Sequence, residues 1–216
     1  IVYLCGEGID EQWCGYDYYQ DTKKMNLQNI SMIQGTKNAI NKNILHEDFM
    51  QHYKNIIFPT PFETSIDNLK FRDLFFTKIP RNLGFLDRIS MLHSVEARVP
   101  FLDHRLVEAS FRLPEKFMLK KNQGKYLLRN WYSQRLPNYA TKKNKQFIQS
   151  PQREWLGNSE FIEDMLISKS FKERSIFNNK EVKKSFRSYK NGEFDNSFFI
   201  WQWLNLEIWF QTIIKN

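Results

Sequence analysis

The chain has 216 residues, 41% of them hydrophobic and 16% aromatic, including 19 Phe, 9 Tyr and 6 Trp. That load fills the core of one large domain, or a large piece of one, and excludes a disordered or fibrous chain. A net charge of +8 favours polyanionic partners such as nucleotides, but the basic residues are dispersed, so charge alone does not make a nucleic-acid interface.

Ile1-Val2-Tyr3-Leu4 is an apolar β-forming run ended by Gly6-Glu7-Gly8. Its lack of alternation predicts a strand buried on both faces, as in a parallel sheet. No comparable run follows, so its partner strands are expected upstream of Ile1. The chain opens inside an apolar run with no signal peptide, and reads as the C-terminal part of something longer. Asp10 to Gln20 starts with acids that suit a helix N-terminus. Asn26 to Tyr53 is polar and reads as one or two surface helices. Leu69 to Phe76 is helical in pattern with Pro80 as its stop, and Leu83 to Val95 forms the next helix. Arg98 to Phe101 reads as an extended turn; Glu96 and Arg98 either form an ion pair that orders it, the favoured reading, or position substrate. Asp103 caps a helix over Arg105 to Arg112 that stops at Pro114. Lys125 to Leu136 has helical spacing between Gly124 and Pro137. A further helix starts at Pro151 to Leu156, and Phe194 to Ile214 is a long aromatic helix with Trp201, Trp203 and Trp209 in the core. The fold class predicted is mostly α-helical with one N-terminal strand, and no linker marks a second domain.

Only Cys5 and Cys14 occur, without a CxxC pair, which argues against structural zinc and disulfides and for a reduced, cytoplasmic setting. His93 and His104 stand apart from any ligand cluster. No uninterrupted apolar span reaches the ~20 residues of a membrane helix. The nearest candidate, Phe198 to Phe210, contains Gln202, Asn205 and Glu207.

A strand that runs into a glycine turn and then a helix can hold a phosphate, because glycine lets the backbone approach and the helix start faces N–H groups toward the charge. Here the turn also carries Glu7, Asp10 and Glu11. Carboxylates repel phosphate unless a cation intervenes, so Mg²⁺ between Asp10 and a pyrophosphate is one reading. The other is that the acids cap a helix. The Rossmann third glycine and a Walker A loop are both absent.

Four blocks bear on the choice. Cys5 to Tyr16 resembles the SGEGxDExxxGGY motif of asparagine synthetases. Asp87 to Asp103 is similar to their DRxSMxxSxEARVPFLD block. Gly124-Lys125 through Arg129 fits GKxxLR, and Lys145, Pro151 and Trp155-Leu156 fit K-x-x-x-x-x-P-x-x-x-W-L. The chain is identified as a member of that family over essentially its whole length. The resemblance implies an α/β fold of the ATP-pyrophosphatase (adenine-nucleotide α-hydrolase-like) type. Residues 1–216 would be the C-terminal portion of its synthetase domain, without the glutaminase domain or the SGGxDS pyrophosphate loop.

The activity implied is ATP-dependent amidation of a carboxylate through an acyl-adenylate, aspartate to asparagine, with ammonia from glutamine. The cofactors implied are ATP and Mg²⁺. Cys5 and Gly6 match the Ser-Gly that touches the nucleotide, and Asp10 the acid that holds Mg²⁺ and pyrophosphate. Glu7 matches the acid that serves adenylate formation and amination, and Tyr16 a tyrosine near the substrate. Lys145, counted back from Pro151 and Trp155, matches a lysine that neutralises charge on the α-phosphate; counting back from Phe147 would select Asn144, and Lys143 is the fallback. The partners implied are the small-molecule substrates and a glutaminase domain in cis or trans. A homo-oligomer stays open; membrane and nucleic acid are not expected, and the 216 residues alone are expected to be inactive.

This sequence departs from the family pattern at Cys5, where serine is usual, and at Cys14, where the first of two glycines is usual. A thiol is the poorer hydrogen bonder, so backbone contacts would carry more of that site. The stretches Asp10 to Tyr19 and Gln149 to Trp155 resemble a branch found with surface-polysaccharide genes, whose acceptor is a sugar carboxylate. Glu7 argues against the β-lactam-forming relatives, which carry tyrosine there. A non-catalytic relative and a basic RNA-binding module are the competing readings.

Overall fold

The computed structural model describes residues 1–21, 42–52, 56–121, 123–141, 151–193 and 198–214. The chain divides into two compact units, Ile1–Asn29 with Ile56–Phe147, and Ile30–Asn55 with Ile148–Asn216. None of the joins is a long Gly-, Ser- or Pro-rich linker, which is why composition does not reveal the division.

The first unit holds a parallel pair of strands, β1 (Val2–Leu4) and β2 (Glu96–Arg98), with Val2 opposite Glu96 and Leu4 opposite Arg98. The Cys5 N–H extends the ladder by donating to the Arg98 carbonyl at 2.8 Å. This corrects the expectation of a single strand: β1 has a partner downstream of it. Glu96-Ala97-Arg98 escapes a search for apolar runs because Glu96 and Arg98 share one exposed face and pair with each other at 2.9 Å. Burial on both faces of β1 is also not found: Val2 is 49% and Leu4 71% exposed. Each strand has one neighbour among the described residues, so the outer edge and the faces of β1 stay open.

Gly8, at φ 92°, starts the short helix Ile9–Gln12. Only glycine suits this position, since the backbone is left-handed and the Leu102 side chain fills the space a Cβ would need. Helix Ser65–Phe75 is capped by Thr64, whose hydroxyl accepts from Asp67 N–H. Pro80 does not end it. It lies in the first turn of the next helix, Lys78–Leu92, where a missing N–H costs nothing. Asp103 caps helix His104–Arg112 as expected, accepting from Arg105 N–H at 2.9 Å. The helix expected from Lys125 is shorter, Tyr126–Tyr132. Trp13, Cys14, Tyr19, Ile66, Leu69 and Met118 form the core, with Leu127 and Leu128 packed against it.

The second unit is helical. Helices Gln152–Gly157, Glu160–Ile167, Lys169–Glu173, Asn179–Lys190 and Phe198–Trp209 surround a core that includes Leu156, Met165, Phe171, Val182, Phe186, Ile200 and Trp203. A π-helical turn, Phe210–Ile214, ends the chain's described part. Of the three C-terminal tryptophans only Trp203 is in the core; Trp201 and Trp209 are nearly half exposed. Helical spacing explains it: Trp203 shares a face with Phe199, Ile200, Leu204 and Glu207, and positions 201 and 209 do not. Among the described residues no helix is long and apolar enough to cross a membrane.

Candidate active site

The site is built at the end of β1, where the chain turns through Gly6 and Gly8 into helix Ile9–Gln12. A side chain at Gly6 would meet nothing within 4 Å, so the backbone there is open to a ligand. Glu7 follows, half-buried, and the Asn82 amide donates to its Oε2 at 3.1 Å. Asn82 reaches it from helix Lys78–Leu92, 75 residues away in sequence.

Asp10 lies one turn further on. Its Oδ1 meets the Lys125 ammonium at 2.6 Å, with side-chain exposures of only 14% and 18%. Two glycines make room for this pair. A Cβ on Gly15 would overlap both the Asp10 carboxylate and the Lys125 side chain, and one on Gly124 would overlap the Cys14 carbonyl. Lys125 sits in the left-handed region at φ 58°, and its N–H donates to the Trp13 carbonyl at 2.7 Å. The Gly-Lys turn and the glycine-acid turn therefore interlock.

Behind them lies a cluster of tyrosines and acids. Tyr16 donates to Glu11 Oε1 at 2.8 Å and stacks on Tyr18, centroids 5.3 Å apart. Tyr18 and Tyr19 both donate to Asp73 Oδ2, whose other oxygen takes Arg72 and the Thr77 hydroxyl. Burial, and then the neighbouring carboxylates, push the phenols of Tyr16, Tyr18 and Tyr19 far above their ordinary range. Burial likewise raises Glu11, partly offset by the Tyr16 hydrogen bond. Lys78 lies over the Tyr16 ring, its Nζ 4.2 Å from the centroid.

Of the residues expected in the site, Cys5, Gly6, Glu7, Asp10 and Tyr16 come from one short stretch. Tyr16 spends its hydroxyl on Glu11, inside the fold. Lys145 and its fallback Lys143 lie outside the described residues. Sequence reading gave no role to Asn82, which no quoted motif contains. Nor did it give one to Lys125, although the Gly124-Lys125 pair was visible as a match. The described residues do not make a magnesium site by themselves: no group of three Asp, Glu, His or Cys could hold a metal, and Asp10 already engages an ammonium.

A glycine turn that leads from a strand end into a helix is a geometry that can hold a phosphate. The sequence model described as "Asparagine synthase" matches residues 1–211, and the chain belongs to that family. It is similar to asparagine synthetase (glutamine-hydrolyzing) 3 of Bacillus subtilis (strain 168), 29% identical over 154 residues, covering 64% of this chain and 24% of the relative. Asparagine synthetase (glutamine-hydrolyzing) 1 of the same strain is 29% identical over 131 residues, 60% of this chain and 20% of the relative. A putative asparagine synthetase (glutamine-hydrolyzing) of Mycobacterium tuberculosis (strain ATCC 25618 / H37Rv) is 25% identical over 131 residues, 60% of this chain and 20% of that protein. The chain spans about a fifth to a quarter of the length of the curated relatives it matches. No solved structure matches it.

Proposed function

We propose that this chain is part of an ATP-dependent amidating enzyme that makes an amide from a carboxylate and ammonia, with aspartate as acceptor and asparagine as product. The observation that carries the reading is the placement of Glu7 and Asp10 on one glycine turn, each held by a group from a distant element. The family of the chain and the printed names of its relatives support the same chemistry.

In this reaction an acceptor carboxylate oxygen attacks the α-phosphorus of ATP, and the bond to the leaving pyrophosphate breaks. Ammonia then attacks the acyl carbon of the adenylate; the C–O bond to AMP breaks and one proton is lost. Glu7 would take that proton, a role supported by the Asn82 amide, whose hydrogen bond orients the carboxylate. The open backbone at Gly6, with Cys5 beside it, suits the nucleotide. Lys145 would neutralise charge on the α-phosphate. An α/β ATP-pyrophosphatase fold, a glutaminase domain in cis or trans as the ammonia source, and a cytoplasmic location complete the proposal.

The test is pyrophosphate release by the longest natural chain containing these residues, given ATP, Mg²⁺, ammonia and L-aspartate. Aspartate-dependent release with asparagine formed is the expected result. Glu7→Gln is expected to abolish product while circular dichroism and the thermal midpoint stay unchanged. Release only with a uronic acid or its nucleotide sugar would move the acceptor to the polysaccharide class, a reading favoured by the stretches Asp10 to Tyr19 and Gln149 to Trp155. Silence with every acceptor would leave the chain a non-catalytic relative.

A further inference from the structure

Among its described residues the first unit buries two lysines and treats them differently. Lys70 is fully buried and satisfied, donating to Asp67 Oδ1 at 3.0 Å and to the Ser110 carbonyl at 2.8 Å. Lys78 is 7% exposed, yet among the described residues no carboxylate or carbonyl oxygen takes a hydrogen bond or ion pair from its ammonium. Its contacts are the faces of Tyr16 and Tyr18, at 4.2 and 5.3 Å. A cation–π contact offsets only part of the cost of burying an ammonium without an anion.

The charged groups around Lys78 do not supply that anion. Asp73 and Glu11 attract it, while Arg81 and Arg72 oppose it, and burial outweighs both in lowering its proton affinity. Asp73 already accepts from two tyrosines, Arg72 and Thr77, and Glu11 accepts from Tyr16. The helix that Lys78 opens has 15 residues, no side-chain cap and no acid in its first turn. The hydroxyl of Thr77, in the capping position, is turned to Asp73 instead. The positive end of that helix therefore adds to the field of the ammonium.

Lys78 also stands one turn before Asn82 on the same helix face, with about 5–6 Å expected between their Cβ atoms, and Asn82 holds Glu7. We propose that Lys78 is the anion-recognition group of the acceptor site, and that the acceptor carries a second negative group besides the carboxylate that is amidated. This rests on the amidation reading above. The second group is the α-carboxylate if the acceptor is aspartate, and a phosphate if it is a nucleotide-linked uronic acid.

The experiment uses the full natural chain and its Lys78→Met variant, which keeps the stem and removes the charge. Because no acceptor is left behind, the variant is expected to fold with an unchanged or higher thermal midpoint. Its KM for aspartate is expected to rise about 10- to 100-fold, the range for a lost charge-assisted hydrogen bond, with kcat and the KM for ATP little changed. Aspartate α-amide, which keeps the reacting carboxylate and loses the second charge, should bind the unsubstituted chain more weakly by the same factor. It should bind the variant no more weakly than aspartate does. Equal KM in the two proteins, or equal binding of aspartate and its α-amide by the unsubstituted chain, would overturn the proposal. Calorimetric binding of aspartate and of a uridine-diphosphate-linked uronic acid supplies a readout without turnover. Lys78-dependent binding of either one supports the proposal and names the source of the anion; binding of neither overturns it. The amidation reading is judged separately, by pyrophosphate release from the unsubstituted chain.

Discussion

Glu7 and Asp10 are three positions apart, yet each depends on a partner that sequence proximity does not supply. For Asp10 that partner is Lys125, and the pair is largely shielded from water. Removing one member of a shielded pair leaves the other charge without its counter-ion, which costs more than the pair contributes. Lys125→Met is therefore expected to lower stability by ~2 kcal/mol, read from urea unfolding, with partial recovery in Lys125→Arg. A loss below ~0.5 kcal/mol would mean that solvent screens the contact. Cys14 shows the same dependence on surroundings. Burial pushes its thiol up to about 12, so it behaves as a small apolar core group where the family pattern has a glycine.

Much of the helical skeleton was legible because its punctuation is local. Asp103 and Pro151 announce their helices by chemistry that operates within one turn. Pro80 misled because a proline marks either the stop of one helix or the first turn of the next, and only the neighbouring Thr77 and Asp73 decide between them. β2 was illegible for a different reason: its three residues become a strand only against β1, 94 positions away in register. In the site, the glycine-acid turn was readable and its two supports were not, since a contact between distant elements leaves no spacing to count. Helix Phe198–Trp209 carries a comparable hidden feature in Glu207, which is 1% exposed and takes Arg174, Ser170 and Gln211 at 3.2, 2.8 and 2.8 Å. Glu207→Ala should cost about 3 kcal/mol, because it opens a cavity and strands a guanidinium. Glu207→Gln, which keeps the volume and one acceptor, should cost less than half of that in the same denaturation assay.

At the scale of the whole molecule, the tyrosine cluster sets how the protein meets alkali. Tyr16, Tyr18 and Tyr19 have raised affinities in the folded state, and so does the Cys14 thiol. The folded chain therefore holds protons that the unfolded chain gives up from about pH 8.5 for the thiol and 10 for the phenols. Their stabilisation is complete below those values and is lost as pH rises, at ~1.4 kcal/mol per pH unit for each group that titrates in the unfolded chain alone. Lys70 and Lys78, lowered by burial, act in the opposite sense below about pH 10.4, where the unfolded chain still holds protons that the folded chain gives up; above that value they add nothing to the slope. Urea midpoints should fall between about pH 10.4 and 11.5, with the phenolate absorbance of the three buried tyrosines appearing only on unfolding, and Tyr18→Phe should shrink the fall. An unchanged midpoint across that interval would contradict the assignment. The interlocked turns also bear on how the protein is made. Glu7 waits for Asn82, 75 residues later, and Gln12 for the Phe101 carbonyl, 89 residues later. Contacts that close such long loops must repay their entropy all at once. On a ribosome the acidic turn is therefore finished early and furnished late, so a chain released before its Gly-Lys turn has the motif but not the site.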